Sequence, residues 1–308
     1  MEDYEVIIIG GGPAGLTAGL YTSRAHLRTI LLEAMVPSGQ AFNSENIENY
    51  PGFPDGISGQ KLIDSFTKQA TKFGLEIVQF TKVNKIVLQG EERIVIAGDK
   101  RFSASAIIIA SGAQWNKLGV AGEDEFAGKG ISYCATCDGA FFKDQEVAVV
   151  GGGDTAVEDA IYLTRIAHKV FIIHRRDTLR AQKVLQSRAL ENPKIEFVWN
   201  TVVREIKGGG TLKTLVLEDV HTSSRKELAV DGLFIAIGQR PNTGFVRGVV
   251  ELDEKGCIIT DDKCTTSVAG IFAAGDVRSK DLRQIATAVG DGAIAAFAAE
   301  RYIENIRR

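Results

Sequence analysis

Residues 5–33 read EVIIIGGGPAGLTAGLYTSRAHLRTILLE, and residues 146–174 read EVAVVGGGDTAVEDAIYLTRIAHKVFIIH. Each stretch contains an apolar strand, three consecutive glycines, a helix-like segment and a second apolar strand, and the two align when the sequence is shifted by 141 residues. A strand, a glycine-rich turn and a helix make up the βαβ unit that binds a dinucleotide. One unit used twice predicts two Rossmann-like domains rather than a solenoid.

The order of the remaining strands indicates how the two domains are connected. A further apolar strand ending in glycine follows each copy, at residues 107–112 and 234–238, and a third run at residues 270–276 has no counterpart. We therefore predict an α/β protein whose second domain interrupts the first. The first domain is placed at residues 1–114 and 244–308 and the inserted domain at 115–243, because the crossings are rich in Gly, Pro and Asn. A final amphipathic helix is expected from about Gly292 to Asn305, and a helix start is expected near Gln284.

Composition and charge exclude several classes of function. The 308 residues include 36 Lys and Arg against 39 Asp and Glu, a net charge of −3, which offers no general attraction for nucleic acid or an anionic membrane. The uncharged run from Val6 to Ser23 is interrupted by glycines and preceded by acidic residues, so neither a membrane span nor a signal peptide is predicted. We expect a cytoplasmic protein.

The first glycine loop has the residue types of a dinucleotide site. Its candidate binding residues are Gly10, Gly12, Pro13, Ala14 and Gly15. Glu33, 23 residues after Gly10, can accept hydrogen bonds from a ribose 2′-hydroxyl and would repel a 2′-phosphate. This leaves FAD or NAD as the ligand. The resumed segment favours FAD, because Asp276 is placed to bind a polyol and the helix that begins near Gln284 could direct its positive end at a reduced flavin.

The second glycine loop carries a basic segment instead of an acid. Its candidate residues are Gly153, Asp154, Thr155 and Ala156 in the loop, followed by His174, Arg175, Arg176 and Arg180. Guanidinium groups suit a phosphate dianion, which favours NADPH over NADH at this site. The alternative interpretation is a solvated basic start of a helix.

A CxxC pair precedes the second loop. Cys137 lies 14 residues ahead of Gly151, and Cys134 lies 17 residues ahead of it. Asp138 directly follows Cys137. Cys257 and Cys264 form no second CxxC pair, so no zinc site and no other metal site is predicted. The spacing favours a redox-active dithiol, with Asp138 as either a proton donor or a solvated acid. Cys257 and Cys264 are expected to be small buried residues.

Together these motifs resemble the low-molecular-weight thioredoxin reductases of bacteria and plants. The resemblance covers nearly the whole chain and rests on GGGPAG at Gly10, ENYPGF at Glu48, CATCDG at Cys134, GGGDTA at Gly151 and HRRDTLRA at His174. The dithiol just before the second glycine loop is its most specific feature. The implied fold is that of the class II pyridine nucleotide-disulfide oxidoreductases.

The resemblance implies FAD, NADPH, a homodimer and thioredoxin as the protein substrate. It implies that Cys137 lies nearer the flavin, that Cys134 attacks thioredoxin and that Asp138 protonates the leaving thiolate. It also implies a set of cofactor contacts. For FAD these are the Gly10–Gly15 loop, Glu33, Gly39, Gln40, Asn49, Val83, Gly112, Gly275, Asp276, Arg283, Gln284 and Ile285; for NADPH they are Gly153, Asp154, Thr155, Ala156, His174, Arg175, Arg176 and Arg180.

Two other functions stay open at this point. One is an NADPH-dependent reductase of another small dithiol protein. The other is a non-catalytic flavoprotein that senses NADP, which would need neither the dithiol nor the acid beside it.

Overall fold

The computed structural model describes residues 2–36, 39–44, 46–90 and 92–308. The strands are β1 (Glu2–Ile9), β2 (Thr29–Leu32), β3 (Glu76–Val78), β4 (Lys85–Gln89), β5 (Glu92–Ala97), β6 (Lys100–Ile109), β7 (Ala113–Trp115), β8 (Ile131–Ser132), β9 (Glu146–Val150), β10 (Lys169–Ile173), β11 (Ile195–Val198), β12 (Thr201–Gly208), β13 (Leu212–Asp219), β14 (Arg225–Ala229), β15 (Gly232–Ile235), β16 (Gln239–Pro241) and β17 (Ile271–Ala273). The helices are α1 (Pro13–Arg24), α2 (Gly59–Lys72), α3 (Ala135–Asp138), α4 (Asp154–Leu163), α5 (Lys183–Leu190) and α6 (Ile285–Ile306). Short 3-10 turns cover Gln40–Asn43, Gly139–Phe142, Gly244–Val246 and Gly275–Val277.

The chain forms two compact units. The first unit comprises Met1–Gln114 and Arg240–Arg308, and the second comprises Trp115–Gln239. The chain returns to the first unit before residue 244, where the sequence analysis placed the boundary. The side chain of Asn242 donates to the carbonyl of Ser111, and the Thr243 hydroxyl donates to the carbonyl of Gly256, so both residues are bonded within the first unit.

The sheet of the first unit gathers the ends of its parallel strands at one edge. Strands β3, β2, β1 and β6 lie side by side and run parallel, and β17 pairs with the last residues of β6. The antiparallel strands β5 and β4 extend the sheet from the first half of β6. Gly10, Glu33, Gly112 and Gly275 all follow the carboxyl ends of parallel strands. That edge is where an open parallel sheet binds its ligand.

Burial of both faces explains why the strands of this sheet are uniformly apolar. Val6 and Ile8 of β1 pack with Leu16 of α1 on one face. Ile7 and Ile9 pack into a separate cluster on the other face. A parallel strand covered on both sides reads as a continuous hydrophobic run instead of an alternating one.

Helices α1 and α6 pack closely because small residues line their contact. A Cβ at Gly292 would overlap the carbonyl oxygen of Ala14. The final helix begins at Ile285, which confirms the helix start expected near Gln284, whereas the amphipathic pattern alone predicts a start only at about Gly292. Its start is set by a capping box, in which the side chains of Gln284 and Thr287 bond each other's backbone N–H groups.

The second unit repeats the same plan. Strands β11, β10, β9, β15 and β8 form a parallel sheet in this order, and β12, β13 and β14 form a separate antiparallel sheet. The segments β9, α4 and β10 correspond to β1, α1 and β2 of the first unit. This confirms the predicted α/β class with two Rossmann-like units, the second inserted into the chain of the first. Within the described ranges, no helix has the length and apolarity needed to cross a membrane.

Candidate functional site

The first glycine loop leaves no room for side chains at two of its positions. Gly10 has φ of +110°, and a Cβ there would overlap the carbonyl of Ala110. A Cβ at Gly15 would overlap the carbonyl oxygen of Gly10. Gly12 is the N-cap of α1 and Pro13 is its first residue, so the first N–H groups of the helix are left to a ligand or solvent. The loop therefore has the tight turn and the helix start of a pyrophosphate cradle.

Glu33 lies against this loop. Its Oε2 accepts a hydrogen bond from the N–H of Gly11 at 2.6 Å, and its Oε1 accepts one from the N–H of Met35 at 3.0 Å. The carboxylate is therefore held at the end of β2, where the sequence pattern predicts a group that accepts hydrogen bonds from a ribose.

Several of the other predicted FAD contacts lie close to one another. Gly39 approaches Gly12 so closely that a Cβ at Gly39 would lie 3.2 Å from the Gly12 Cα. The amide of Asn49 donates to Gln284 at 3.1 Å, across a large separation in sequence. Gln40 donates its side-chain amide to the carbonyl of Ala113, which follows Gly112. Val83 is buried with the cluster on the face of the sheet that carries Ile9.

Asp276 has an unsatisfied buried oxygen. Its Oδ1 atom is buried and has no hydrogen-bond partner among the residues that the structure describes. Burial raises the pKa of this carboxyl, whereas the charges of Lys280 and Arg283 lower it. Native structures rarely leave a buried oxygen unpaired, so this one is suited to accept a hydrogen bond from a hydroxyl or amide donor of a ligand. Arg283 and Ile285 flank the start of α6 beside it.

The second glycine loop has the same geometry as the first. Gly151 has φ of +156°, and Gly153 is the N-cap of α4. Asp154, the first residue of α4, accepts a hydrogen bond from the N–H of Gln182 at 2.7 Å. Thr155 is exposed and Ala156 is buried against the sheet.

The basic segment lies beside this loop. The backbone N–H of Arg180 donates to the carbonyl of Gly152 at 2.6 Å, and the side chains of Arg175, Arg176 and Arg180 are all exposed. The charges of all three arginines act on His174, whose imidazole lies against Gly152, so this basic segment is suited to a phosphate near the loop.

His174 differs from these arginines in being buried. It is 5% exposed, and a Cβ at Gly152 would overlap its imidazole. Burial lowers the pKa of His174, and the charge of Arg180 lowers it further. The neutral imidazole packs behind the glycine loop and supports it. The contact of His174 with NADPH stays a prediction.

Cys134 and Cys137 form a disulfide with a Cα–Cα distance of 5.3 Å. Cys134 is the N-cap of the short helix α3, and Cys137 lies within that helix. Cys137 is exposed, whereas Cys134 is half-buried. The assignment of Cys134 as the attacking thiol and of Cys137 as the thiol nearer the flavin stays a prediction.

Ser132 is a site residue that the sequence analysis missed. Its hydroxyl lies 2.6 Å from Oδ2 of Asp138, to which it donates, and it accepts from the N–H of Cys134 at 3.0 Å. Burial raises the pKa of Asp138, and the bond from Ser132 lowers it. A lone serine two residues ahead of a CxxC pair carries no sequence signal of this role.

A second missed residue is Glu123, which is 2% exposed. Its carboxylate accepts the hydroxyl of Tyr133 at 2.8 Å and the backbone N–H groups of Leu118 and Gly119 at 3.0 and 2.7 Å. Burial and the Glu123 bond raise the pKa of Tyr133 above its usual range. Glu123 thereby fixes the residue that precedes Cys134.

The two remaining cysteines are buried, and each is contacted by an arginine. Nη2 of Arg283 lies 3.6 Å from the sulfur of Cys257, and Nη1 of Arg278 lies 3.2 Å from that of Cys264. Burial raises the pKa of Cys264 to about 11, so its thiol stays protonated at neutral pH. Among the described residues, no three His, Cys, Asp or Glu side chains are grouped closely enough to hold a metal ion.

Comparison with known proteins agrees with this geometry. The family model for pyridine nucleotide-disulphide oxidoreductases matches residues 4–292. The thioredoxin reductase of Bacillus subtilis (strain 168) is 49% identical over 305 residues, which cover 99% of this chain and 96% of that protein. The crystal structure of thioredoxin reductase from Streptococcus pyogenes MGAS5005 superposes with a TM-score of 0.95 at 49% identity, covering 98% of this chain and 99% of that one. Thioredoxin reductase from Giardia duodenalis superposes with a TM-score of 0.93 at 37% identity, covering 99% of this chain and 100% of that one.

Proposed function

Because this chain belongs to the pyridine nucleotide-disulphide oxidoreductase family, and within it to the low-molecular-weight thioredoxin reductases, we propose that it transfers electrons from NADPH through FAD to the disulfide of a thioredoxin. The observation that carries the proposal is the Cys134–Cys137 disulfide, which lies in the same unit as a glycine loop flanked by three exposed arginines.

The first unit offers a fitting site for FAD. Its glycine loop excludes side chains where a pyrophosphate needs close approach, Glu33 is held at the loop, and the buried Oδ1 of Asp276 lacks a partner among the described residues. We assign the pyrophosphate to Gly10–Gly15, the adenosine ribose to Glu33 and the polyol to Asp276. Bound FAD supplies a two-electron carrier between a nicotinamide and a disulfide.

The second unit offers the site for NADPH. The loop from Gly151 to Gly153 leads into α4, whose N-terminus can bind the pyrophosphate. We assign the 2′-phosphate to Arg175, Arg176 and Arg180, because their side chains are exposed and their charges act on His174, which lies against Gly152 of the loop.

The dithiol delivers the electrons to the partner. Uptake of two electrons and two protons converts the Cys134–Cys137 disulfide into two thiols. One thiolate attacks a sulfur of the partner disulfide and forms a mixed disulfide, and the other partner sulfur leaves as a thiolate that takes a proton. The second cysteine then attacks the mixed disulfide, which releases the reduced partner and restores the Cys134–Cys137 bond.

Asp138 is the proposed proton donor for the leaving thiolate. Burial raises the pKa of its carboxyl, which increases the fraction of the carboxyl that is protonated at the working pH. The Ser132 hydroxyl holds the carboxyl in place through its bond to Oδ2.

The surface next to the dithiol can receive a protein. Phe141 lies in the 3-10 turn that follows α3, and its side chain is 48% exposed. An exposed aromatic residue beside an exposed disulfide is an anchor for a partner that must present its own disulfide there. We assign this surface to thioredoxin.

We further propose a homodimer formed through the first unit. Ile294 and Phe297 lie one turn apart on α6 and are 43% and 56% exposed, and Tyr21 of α1 is 46% exposed. Large apolar side chains are seldom left in water on one helix face unless they meet a partner. Ile294→Asp/Phe297→Asp is expected to sediment as a monomer, and an unchanged sedimentation coefficient would contradict this interface.

We place the enzyme in the cytoplasm, where disulfide substrates are kept reduced at the expense of NADPH.

The function is tested by following NADPH oxidation with a panel of disulfide proteins. Thioredoxin should be reduced, while glutaredoxin-like proteins and glutathione disulfide should react much more slowly. Cys134→Ser/Cys137→Ser should bind FAD and have its flavin bleached by NADPH, yet should not reduce thioredoxin. A purified chain that binds FAD and NADPH but reduces no member of the panel would indicate a non-catalytic NADP-sensing protein.

The two cysteines are distinguished by trapping. If Cys134 attacks, as the resemblance implies, Cys137→Ser should accumulate a mixed disulfide with thioredoxin that Cys134→Ser does not form. The reverse result would assign the attack to Cys137 and contradict the resemblance.

A further inference from the structure

A buried ion cluster lies next to the turn that carries Asp276. Asp291 of α6 accepts hydrogen bonds from Nη1 of Arg278 at 2.9 Å and from Nζ of Lys280 at 2.8 Å. The three side chains are only 11% to 13% exposed. Such a cluster lies outside every motif identified in the sequence.

The same carboxylate also holds the backbone of the turn. Oδ2 of Asp291 accepts the N–H of Gly275 at 3.0 Å. Gly275 has φ of +79°, and a Cβ there would lie 3.0 Å from the Cβ of Ala14 in the first glycine loop. The turn is therefore fixed against the loop on one side and bonded to Asp291 on the other.

Resting on the proposed function, we propose that Asp291 is a positioning residue of the FAD site. It anchors the N–H of Gly275 and balances the charges of Arg278 and Lys280, so that Asp276 presents its carboxylate to the polyol of the cofactor. Asp291 acts through Gly275 and Asp276 and does not itself touch the cofactor. A carboxylate is needed for this role, because an amide cannot accept from two cations and a backbone N–H at once.

The proposal predicts weaker FAD binding when Asp291 loses its charge. Full-length apoprotein is titrated with FAD, and the quenching of flavin fluorescence gives the Kd without NADPH or thioredoxin. Asp291→Asn is expected to raise the Kd about 10- to 100-fold, as for loss of a charge-assisted hydrogen bond. Glu304→Gln, which neutralises an exposed carboxylate of the same helix, is the matched control and should leave the Kd unchanged.

A double-mutant cycle separates positioning from general damage to the fold. If Asp291 acts through Asp276, then Asp291→Asn should change the Kd by less than about threefold in the Asp276→Asn background. Full additivity of the two substitutions would overturn the proposal, because it would show that Asp291 merely stabilises the protein.

A further variant covers the case in which Asp291→Asn does not fold. Asp291→Glu keeps the charge but moves the carboxylate by one methylene, so it should fold and still raise the Kd at least about fivefold, since the bond to Gly275 is displaced. A Kd equal to that of the parent would overturn the proposal. If the parent apoprotein itself binds no FAD, the proposed function fails instead.

Discussion

Arg175 and Arg176 test the proposed coenzyme site directly, because NADPH differs from NADH only in its 2′-phosphate. Both side chains are exposed, so water screens their bonds to a phosphate. We therefore take the lower end of the range for charge-assisted hydrogen bonds, about 1.5 kcal/mol for each arginine. Since about 1.4 kcal/mol corresponds to a tenfold change, Arg175→Gln/Arg176→Gln should lose about 100-fold in kcat/KM for NADPH.

The assay is steady-state reduction of thioredoxin with each coenzyme at low ionic strength. The loss should lie mainly in KM for NADPH, and kcat/KM for NADH should change by less than about threefold. Arg188→Gln, which removes another exposed arginine of the same unit, is the matched control and should resemble the parent. Added salt should narrow the difference between parent and variant. Equal losses with both coenzymes, or a similar loss in the control, would refute the assignment.

Three further changes test other parts of the structure. The Ser132 bond lowers the pKa of Asp138, so Ser132→Ala should raise that pKa and move the corresponding limb of the pH profile for thioredoxin reduction to higher pH, whereas Asp138→Asn should abolish the limb. Gly292→Ala should lower the free energy of unfolding by about 1–3 kcal/mol, because its Cβ overpacks against α1. Gly290 lies in the same helix and a Cβ there would meet nothing within 4 Å, so Gly290→Ala should raise the free energy of unfolding by about 0.5–1 kcal/mol. Equal effects of the two substitutions in thermal melts would contradict this packing. Burial, followed by the charge of Glu158, raises the pKa of Asp159 to about 7, and a raised carboxyl pKa gives stability that is lost as the pH rises through that value. Asp159→Asn should therefore have a higher Tm than the parent at about pH 8, and this difference should shrink towards pH 4.

The glycine loops could be predicted from the sequence because their requirements are local. A strand, a positive φ at Gly10 or Gly151 and a helix start are all encoded within a short stretch of chain. The pairing of Cys134 with Cys137 was equally predictable, since two intervening residues bring the sulfurs within reach. The fold class followed from the repetition of these local patterns.

Residues that act through tertiary contacts could not be predicted in this way. Ser132, Glu123 and Asp291 each acquire their role from a side chain or backbone group that is distant or unmarked in the sequence. His174 belongs to a basic run that indicates a phosphate site, but nothing in that run indicates that its imidazole packs behind Gly152. The start of α6 near Gln284 could be predicted, whereas its amphipathic pattern becomes clear only from about Gly292, because Gly290 and Gly292 weaken it.

The pairing of β17 with β6 also determines the order in which the protein can be completed during synthesis. The whole of Trp115–Gln239 is made between these two strands, so the second unit has all its residues before the first has its last strand and α6. Domains fold as units during synthesis, and the first segment must meanwhile leave the edge of β6 and one side of α1 uncovered. A chain that ends near residue 265 and has been released from the ribosome should therefore contain a protease-resistant second unit and a sensitive first segment. Resistance of both at that length would show that the first segment does not depend on β17 and α6.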